Sequence, residues 1–299
     1  MFPLDRTAAG PAIWFRDTAP GTSRDTITGV SDDELYRQYE TINLYRRGPG
    51  AKVELNRPAR MNAWNYQFSQ DLLAAITEVT DNAEIRAAVI TGAGRAFSSG
   101  ADLKEAAEEG GDGTMDVYKI LTERYHPLIT GIRRMPKPVI AAVNGPAAGI
   151  GLSLALACDL VVAASSAYFS LAFVNIGLVP DGGSSLFVPS RVGFARAAEL
   201  AMLGERLDAA KALDWGLINK VWPDEEFAAQ TDTLLDRLAS GATRSYAGTK
   251  RQLNQWLYQQ MDDQLEFEAT IQRETAASGD FAEGVAAFAE KRPPRFTGA

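Results

Sequence analysis

Asn144-Gly145-Pro146-Ala147-Ala148-Gly149-Ile150-Gly151 decides the architecture of this 299-residue chain. It follows Pro138 to Val143, an apolar run with the length of a buried strand, which stops at Asn144-Gly145. It leads into Gly151 to Ala157, which reads as a helix opening at a glycine-rich turn. Strand, turn and helix in succession make the unit of an α/β fold with crossover connections.

The surrounding sequence repeats that unit. Thr41 to Tyr45 and Lys52 to Leu55 are β-rich runs around Gly48-Pro49-Gly50, a hairpin signal. Gln67 to Val79 has helical spacing, with Phe68, Leu72, Ala75, Ile76 and Val79 on one face. Arg86 to Thr91 is a short strand ending in Gly92-Ala93-Gly94, Met115 to Ile132 reads as a helix, and Leu160 to Ala164 and Tyr168 to Leu171 are strands again. After about Ser184 the pattern is nearly all helical: Phe194 to Leu203, Ala209 to Leu213, Glu225 to Leu238 and three segments from Thr243 to Glu290. Residues 1–38 carry Pro3, Pro11, Pro20 and Gly21 without a period. They read as an irregular N-terminal extension with a short helix near Asp32 to Tyr39. A core over 39–235 and a helical region over 236–299 complete the expected organisation.

The bulk numbers narrow the function classes. A hydrophobic content of 46% with 23% charged residues is ordinary for a globular protein that buries a sizeable core. A net charge of -8 argues against a nucleic-acid partner. No apolar stretch approaches the ~18–20 residues that span a bilayer, and Met1 to Ala19 has no continuous apolar segment of a secretory signal. The single cysteine, Cys158, lies in an apolar run and reads as a small buried hydrophobe, which fits a reducing compartment, expected to be the cytoplasm. There is no Cys/His spacing of a zinc site and no phosphate-binding P-loop, so neither a metal nor a redox cofactor is expected.

Two turns have the residues of an anion cradle. Ser98-Ser99-Gly100-Ala101-Asp102 follows a strand and a glycine turn, and Gly149-Ile150-Gly151 opens a helix, where unpaired N–H groups and the dipole favour negative charge. Spacing alone favours ordinary punctuation between elements, since glycine-rich turns are common.

The order of five segments does more. Asn56-Arg57-Pro58, Ser99 to Leu103, Asn144 to Gly151, Gly177-Leu178-Val179-Pro180-Asp181-Gly182-Gly183 and Ala212 to Leu217 together resemble the crotonase (enoyl-CoA hydratase/isomerase) superfamily over about residues 40–299. The resemblance implies an α/β fold of repeated β-β-α units with a C-terminal helical region that serves trimerisation, and hence a homotrimer or hexamer. It implies an acyl-CoA substrate and a thioester oxyanion held by the N–H groups of Ala101 and Ile150. It places Arg60, Ser99, Ala101, Asp102, Leu103, Ile150, Ser153, Phe173 and Lys291 around the substrate, with Arg60 and Lys291 toward the coenzyme A phosphates. It is strongest toward members that isomerise a ring-epoxidised phenylacetyl-CoA, at Ala147-Ala148-Gly149, Leu154-Ala155-Leu156, Ala172-Phe173, Val179-Pro180-Asp181 and the tail from Glu283 to Gly298.

This chain departs from the family's hydratases at the chemistry. Their two glutamates correspond to Ser153 and Phe173 here, and neither side chain is an acid or base near neutral pH. Asp181 is the ionisable residue left in the right segment. By sequence it is equally a helix N-cap before Gly182-Gly183-Ser184, worth ~1 kcal/mol; the resemblance favours catalysis. His126 reads as a helix-surface residue before a proline, Asp102 as a turn-fixing side chain, and Glu105, Glu108 and Glu109 as a solvated helix face. The expected activity is therefore double-bond or ring isomerisation of an acyl-CoA by Asp181. The alternatives are a hydratase with atypical acid and base groups, a thioester hydrolase or dehalogenase, or a non-catalytic acyl-CoA-binding protein.

Overall fold

The computed structural model describes residues 33–109 and 115–299, with the backbone alone at 107–109. The first strand, β1 (Glu34–Gln38), pairs antiparallel with β2 (Ile42–Arg47), which forms the expected hairpin with β3 (Gly50–Leu55). Helix α1 (Tyr66–Asp81) starts where the Asn65 side chain accepts the Phe68 N–H, and it buries the Phe68, Leu72, Ala75, Ile76, Val79 face. Then come β4 (Ala87–Gly92), α2 (Leu103–Glu109) and α3 (Val117–Ile120). A π-turn over Leu121–Tyr125 runs directly into α4 (His126–Arg134). The middle of the chain supplies β5 (Val139–Val143), β6 (Ala147–Ala148), α5 (Ile150–Ala157), β7 (Leu160–Ala164) and β8 (Tyr168–Ser170). The remainder is α6 (Ser184–Leu203), β9 (Leu207–Asp208), α7 (Ala209–Asp214), β10 (Lys220–Trp222), α8 (Asp224–Ser240), α9 (Thr243–Leu257), α10 (Met261–Ala276) and α11 (Gly279–Glu290).

Seven strands form one sheet in the order β1-β2-β3-β4-β5-β7-β10, parallel from β3 onward. β6, β8 and β9 form a small second sheet. β4, β5 and β7 are almost wholly buried, as parallel strands covered on both faces must be. One face carries the main apolar core with α1, α4 and α5; the other packs Ala87, Val89, Ile140, Ala142 and Val162 under Phe227 and Leu235 of α8.

Two boundaries differ from expectation. Glu34 to Gln38 is an edge strand of the main sheet rather than a helix, so the core begins at Asp33 and not at residue 39. The extension up to residue 32 lies outside the described residues. The division at 235/236 falls inside α8, and residues 33–299 form one unit. The C-terminal helices reach the middle of the chain. A Cβ on Gly284 of α11 would sit 2.6 Å from Ile176 Cα, so helix backbone rests directly on the 3-10 turn Phe173–Ile176. A substituted residue could not approach so closely.

Candidate active site

Ser98 is the hub of the first part of the site. Its N–H donates to Pro146 O (3.0 Å) and its carbonyl accepts the Ala148 N–H (2.9 Å). Its hydroxyl donates to Asn62 O (2.8 Å) and accepts Trp64 Nε1–H (3.1 Å). One buried residue, through its backbone and its hydroxyl, thus ties the segments around 62–64, 98–101 and 146–148 together. Trp64 N–H then donates to Gly100 O (2.8 Å) and Asp102 N–H to Trp64 O (2.9 Å). In that parallel register Ala101 turns its own N–H away from Trp64.

Across from it, Gly149 has φ 51°, ψ -130°, and the chain enters α5 at Ile150. The amides of Leu152 and Ser153 turn back to Gly149 O, while the Ile150 amide stands at the first helical position, where no carbonyl lies within the helix to receive it. The two segments touch because Gly151 lacks a side chain: a Cβ there would lie 2.7 Å from Ser98 Cβ, O and Oγ.

The loop before α6 brings Asp181. The Asp181 carbonyl accepts Ser153 Oγ–H (2.7 Å), Ser184 Oγ–H (2.8 Å) and Ser184 N–H (3.1 Å). Its Oδ2 accepts Gln272 Nε2–H (2.7 Å); Oδ1 has no hydrogen-bond partner among the described residues, although Asp181 is only 4% exposed. Burial pushes the Asp181 carboxyl up to about 8, the Gln272 bond pulls it down, and the charge of Glu268 raises it further.

Glu268 takes the role that sequence offered to Asp181. It caps α6, accepting Gly183 N–H (2.8 Å), Ser185 N–H (3.1 Å) and the Ser185 hydroxyl. Burial raises it to about 7 against those bonds. The Asp181 side chain is therefore not the N-cap.

These groups surround a cavity of about 260 Å³. Ser99, Ala101, Leu103, Ile150, Phe173 and Asp181 all line it, with Gln272 beside Asp181. Tyr125 and Asn175 also reach the lining, and the rest of the wall is apolar, from Ala106 and Val117 to Leu121, Ile176 and Phe288. Asp181 is the sole carboxyl on the lining among the described residues.

Other expected site residues lie elsewhere. Ser153 is fully buried behind the cavity, where its hydroxyl fixes the Asp181 backbone. Asp102 sits under α2, with Oδ1 toward Glu105 N–H (3.4 Å) and Oδ2 3.3 Å from Arg57 Nη1. Arg60 and Lys291 are exposed and off the lining. Glu105 remains partly exposed but is also paired: it accepts from Asn65 Nδ2 (2.5 Å) and Arg57 Nη2 (2.7 Å), which hold its carboxyl below the usual range. His126 is off the lining too; its Nε2 is buried without a partner among the described residues, and burial lowers its pKa. The Cys158 thiol is fully buried and pushed up to about 12, as an inert core residue would be.

Sequence reasoning missed Glu268 and Gln272. The signal was there: Met261, Leu265, Ala269 and the two polar residues share one buried stripe of α10, and polar side chains on an apolar stripe need partners. Among the described residues no group of three or more His, Cys, Asp or Glu gathers to hold a metal ion, and no helix is long and apolar enough to cross a membrane.

The sheet, the paired glycine turns and the apolar cavity between them match a known family. Residues 50–299 match the model of the enoyl-CoA hydratase/isomerase family, and the chain belongs to this family of acyl-CoA-transforming enzymes, the crotonase superfamily. It is 44% identical over 260 residues to a probable enoyl-CoA hydratase of Rhodobacter capsulatus, covering 87% of this chain and 99% of that one. It is 40% identical over 246 residues to the 1,2-epoxyphenylacetyl-CoA isomerase of Escherichia coli, covering 82% and 94%. Among solved structures, an enoyl-CoA hydratase from Mycobacterium avium subsp. paratuberculosis superposes with a TM-score of 0.78 at 38% identity, over 87% of this chain and all of that one.

Proposed function

We propose that the protein isomerises an unsaturated or ring-containing acyl-CoA, with Asp181 as the proton-transferring group. The thioester oxygen sits between the Ala101 and Ile150 N–H groups, which stabilise the enolate as charge develops on that oxygen. Ionised Asp181 takes a proton from the acyl carbon chain through Oδ1. The same carboxylic acid returns it to another carbon, so the double bond or ring bond shifts and nothing is added or lost. The acyl group fills the apolar cavity. Arg60 and Lys291 meet the coenzyme A phosphates, with Ser99 and Leu103 along the thioester arm. No cofactor beyond the thioester is used. The working form is a homotrimer or hexamer in the cytoplasm.

One observation carries this reading: among the described residues a single carboxyl borders the cavity, with one oxygen that has no hydrogen-bond partner there. Addition of water by the family's two-glutamate route needs a second acid or base. Ser153 and Phe173 stand at those positions, the one a hydroxyl turned to a backbone carbonyl and the other a ring on the cavity wall. The test is mass spectrometry of an acyl-CoA panel with the protein and with Asp181→Asn. Isomerisation leaves the mass unchanged and rearranges the fragments, and Asp181→Asn loses about 10²–10⁴-fold in rate while still binding acyl-CoA. Efficient addition of water to crotonyl-CoA, or near-normal turnover by Asp181→Asn, refutes it.

A further inference from the structure

We infer that Gln272 is a positioning residue: from α10 it ties one oxygen of Asp181 and so leaves the other to face the acyl group. The inference rests on the role proposed above for Asp181 and adds the part that gives this carboxyl its direction.

The geometry is specific. Gln272 uses both ends of its amide. Nε2–H donates to Asp181 Oδ2 (2.7 Å), and Oε1 accepts Val179 N–H (3.1 Å) from the start of the same loop. The amide cannot be turned over without setting its oxygen against the Asp181 oxygen and its NH₂ against the Val179 N–H. Glu268, one turn earlier on the same face, holds Gly183 and Ser185 at the loop's other end. Helix α10 therefore grips the loop on both sides of Asp181. Ser153 and Ser184 fix the Asp181 carbonyl, so the backbone is held independently of the carboxyl. Gln272 is then what selects the side-chain rotamer. It also acts on the chemistry: its N–H is the one hydrogen bond to the carboxylate among the described residues, opposing the burial and the Glu268 charge that favour the acid.

The test is the pH profile of kcat/KM for the protein, Gln272→Met and Gln272→Glu, with Asp181→Asn in parallel and thermal melting to confirm folding. For a base that must be ionised, activity rises with pH through the carboxyl's titration, near pH 8 in the native protein. Gln272→Met keeps the volume and removes the donor. The acid limb should move up by about one to two pH units, so that kcat/KM near pH 7 falls about 10–100-fold while KM changes little and activity recovers at high pH. Gln272→Glu can still accept from Val179 N–H but places a like charge beside Asp181, and it should move the limb the same way. An unmoved limb with uniformly reduced activity in folded Gln272 variants, while Asp181→Asn is inactive, overturns the inference and leaves the role of Asp181 standing. Full activity in Asp181→Asn overturns both.

Discussion

Asp181→Asn should make the protein's stability less dependent on pH. An aspartate in an unfolded chain ionises near pH 3.9, whereas burial holds the acid form of Asp181 to about 8 in the fold. Between those values the folded protein binds more protons than the unfolded one, so stability falls as pH rises through the window and levels off above about 8. A full proton of difference removes about 1.4 kcal/mol per pH unit. The charge of the neighbouring Glu268, itself raised to about 7 by burial, adds to the shift. About 2–4 kcal/mol is the resulting loss between pH 5 and 8, or roughly 3–6 °C in melting temperature for a chain of this length. Asparagine cannot ionise, so whatever it costs to place its NH₂ where Oδ1 has no partner is constant with pH. Melting curves of both proteins from pH 5 to 9 should show the difference, variant minus native, climbing and then levelling. A flat difference would mean that Asp181 is already ionised at pH 5 in the fold, and the argument from desolvation would fail.

Two further outcomes follow from the same contacts. Gly151→Ala must push α5 away from Ser98, because its Cβ would land 2.7 Å from Ser98 Oγ; displacing the Ile150 amide should lower kcat about 10²–10³-fold with a smaller change in KM, and unchanged steady-state kinetics would show that this amide does no catalytic work. Arg57→Met leaves Asp102 and Glu105 without their shared cation and should cost about 2–4 kcal/mol in urea unfolding; an unchanged midpoint would show that the pairing does not hold α2 in place.

Much of the fold was legible because its signals are local. The β2–β3 hairpin, the apolar face of α1 and the strand–glycine–helix passage from β5 to α5 are each written within about twenty residues. β1 was not legible: its five residues are exposed and held by backbone pairing to β2, so they leave no hydrophobic pattern to read. Glu105 misled because its charge pattern is that of a surface helix, while its partners Asn65 and Arg57 lie 40 and 48 residues away. At the site, the glycine turns and Asp181 stand in motifs, but the residues that cap α6 and aim the carboxyl come 85 and 91 residues later. No local pattern states such a pairing.

The contact of α11 with the turn that carries Phe173 has a consequence for biosynthesis. A ribosome that has just made Asp181 must add more than a hundred residues before Gln272 and Phe288 have both emerged, on the order of ten seconds at ordinary elongation rates. Until then the nascent chain has its two glycine turns but lacks one wall of the cavity. During that interval it exposes the surface at Ile176 that α11 later covers, and it is in this interval that a chaperone has something to hold.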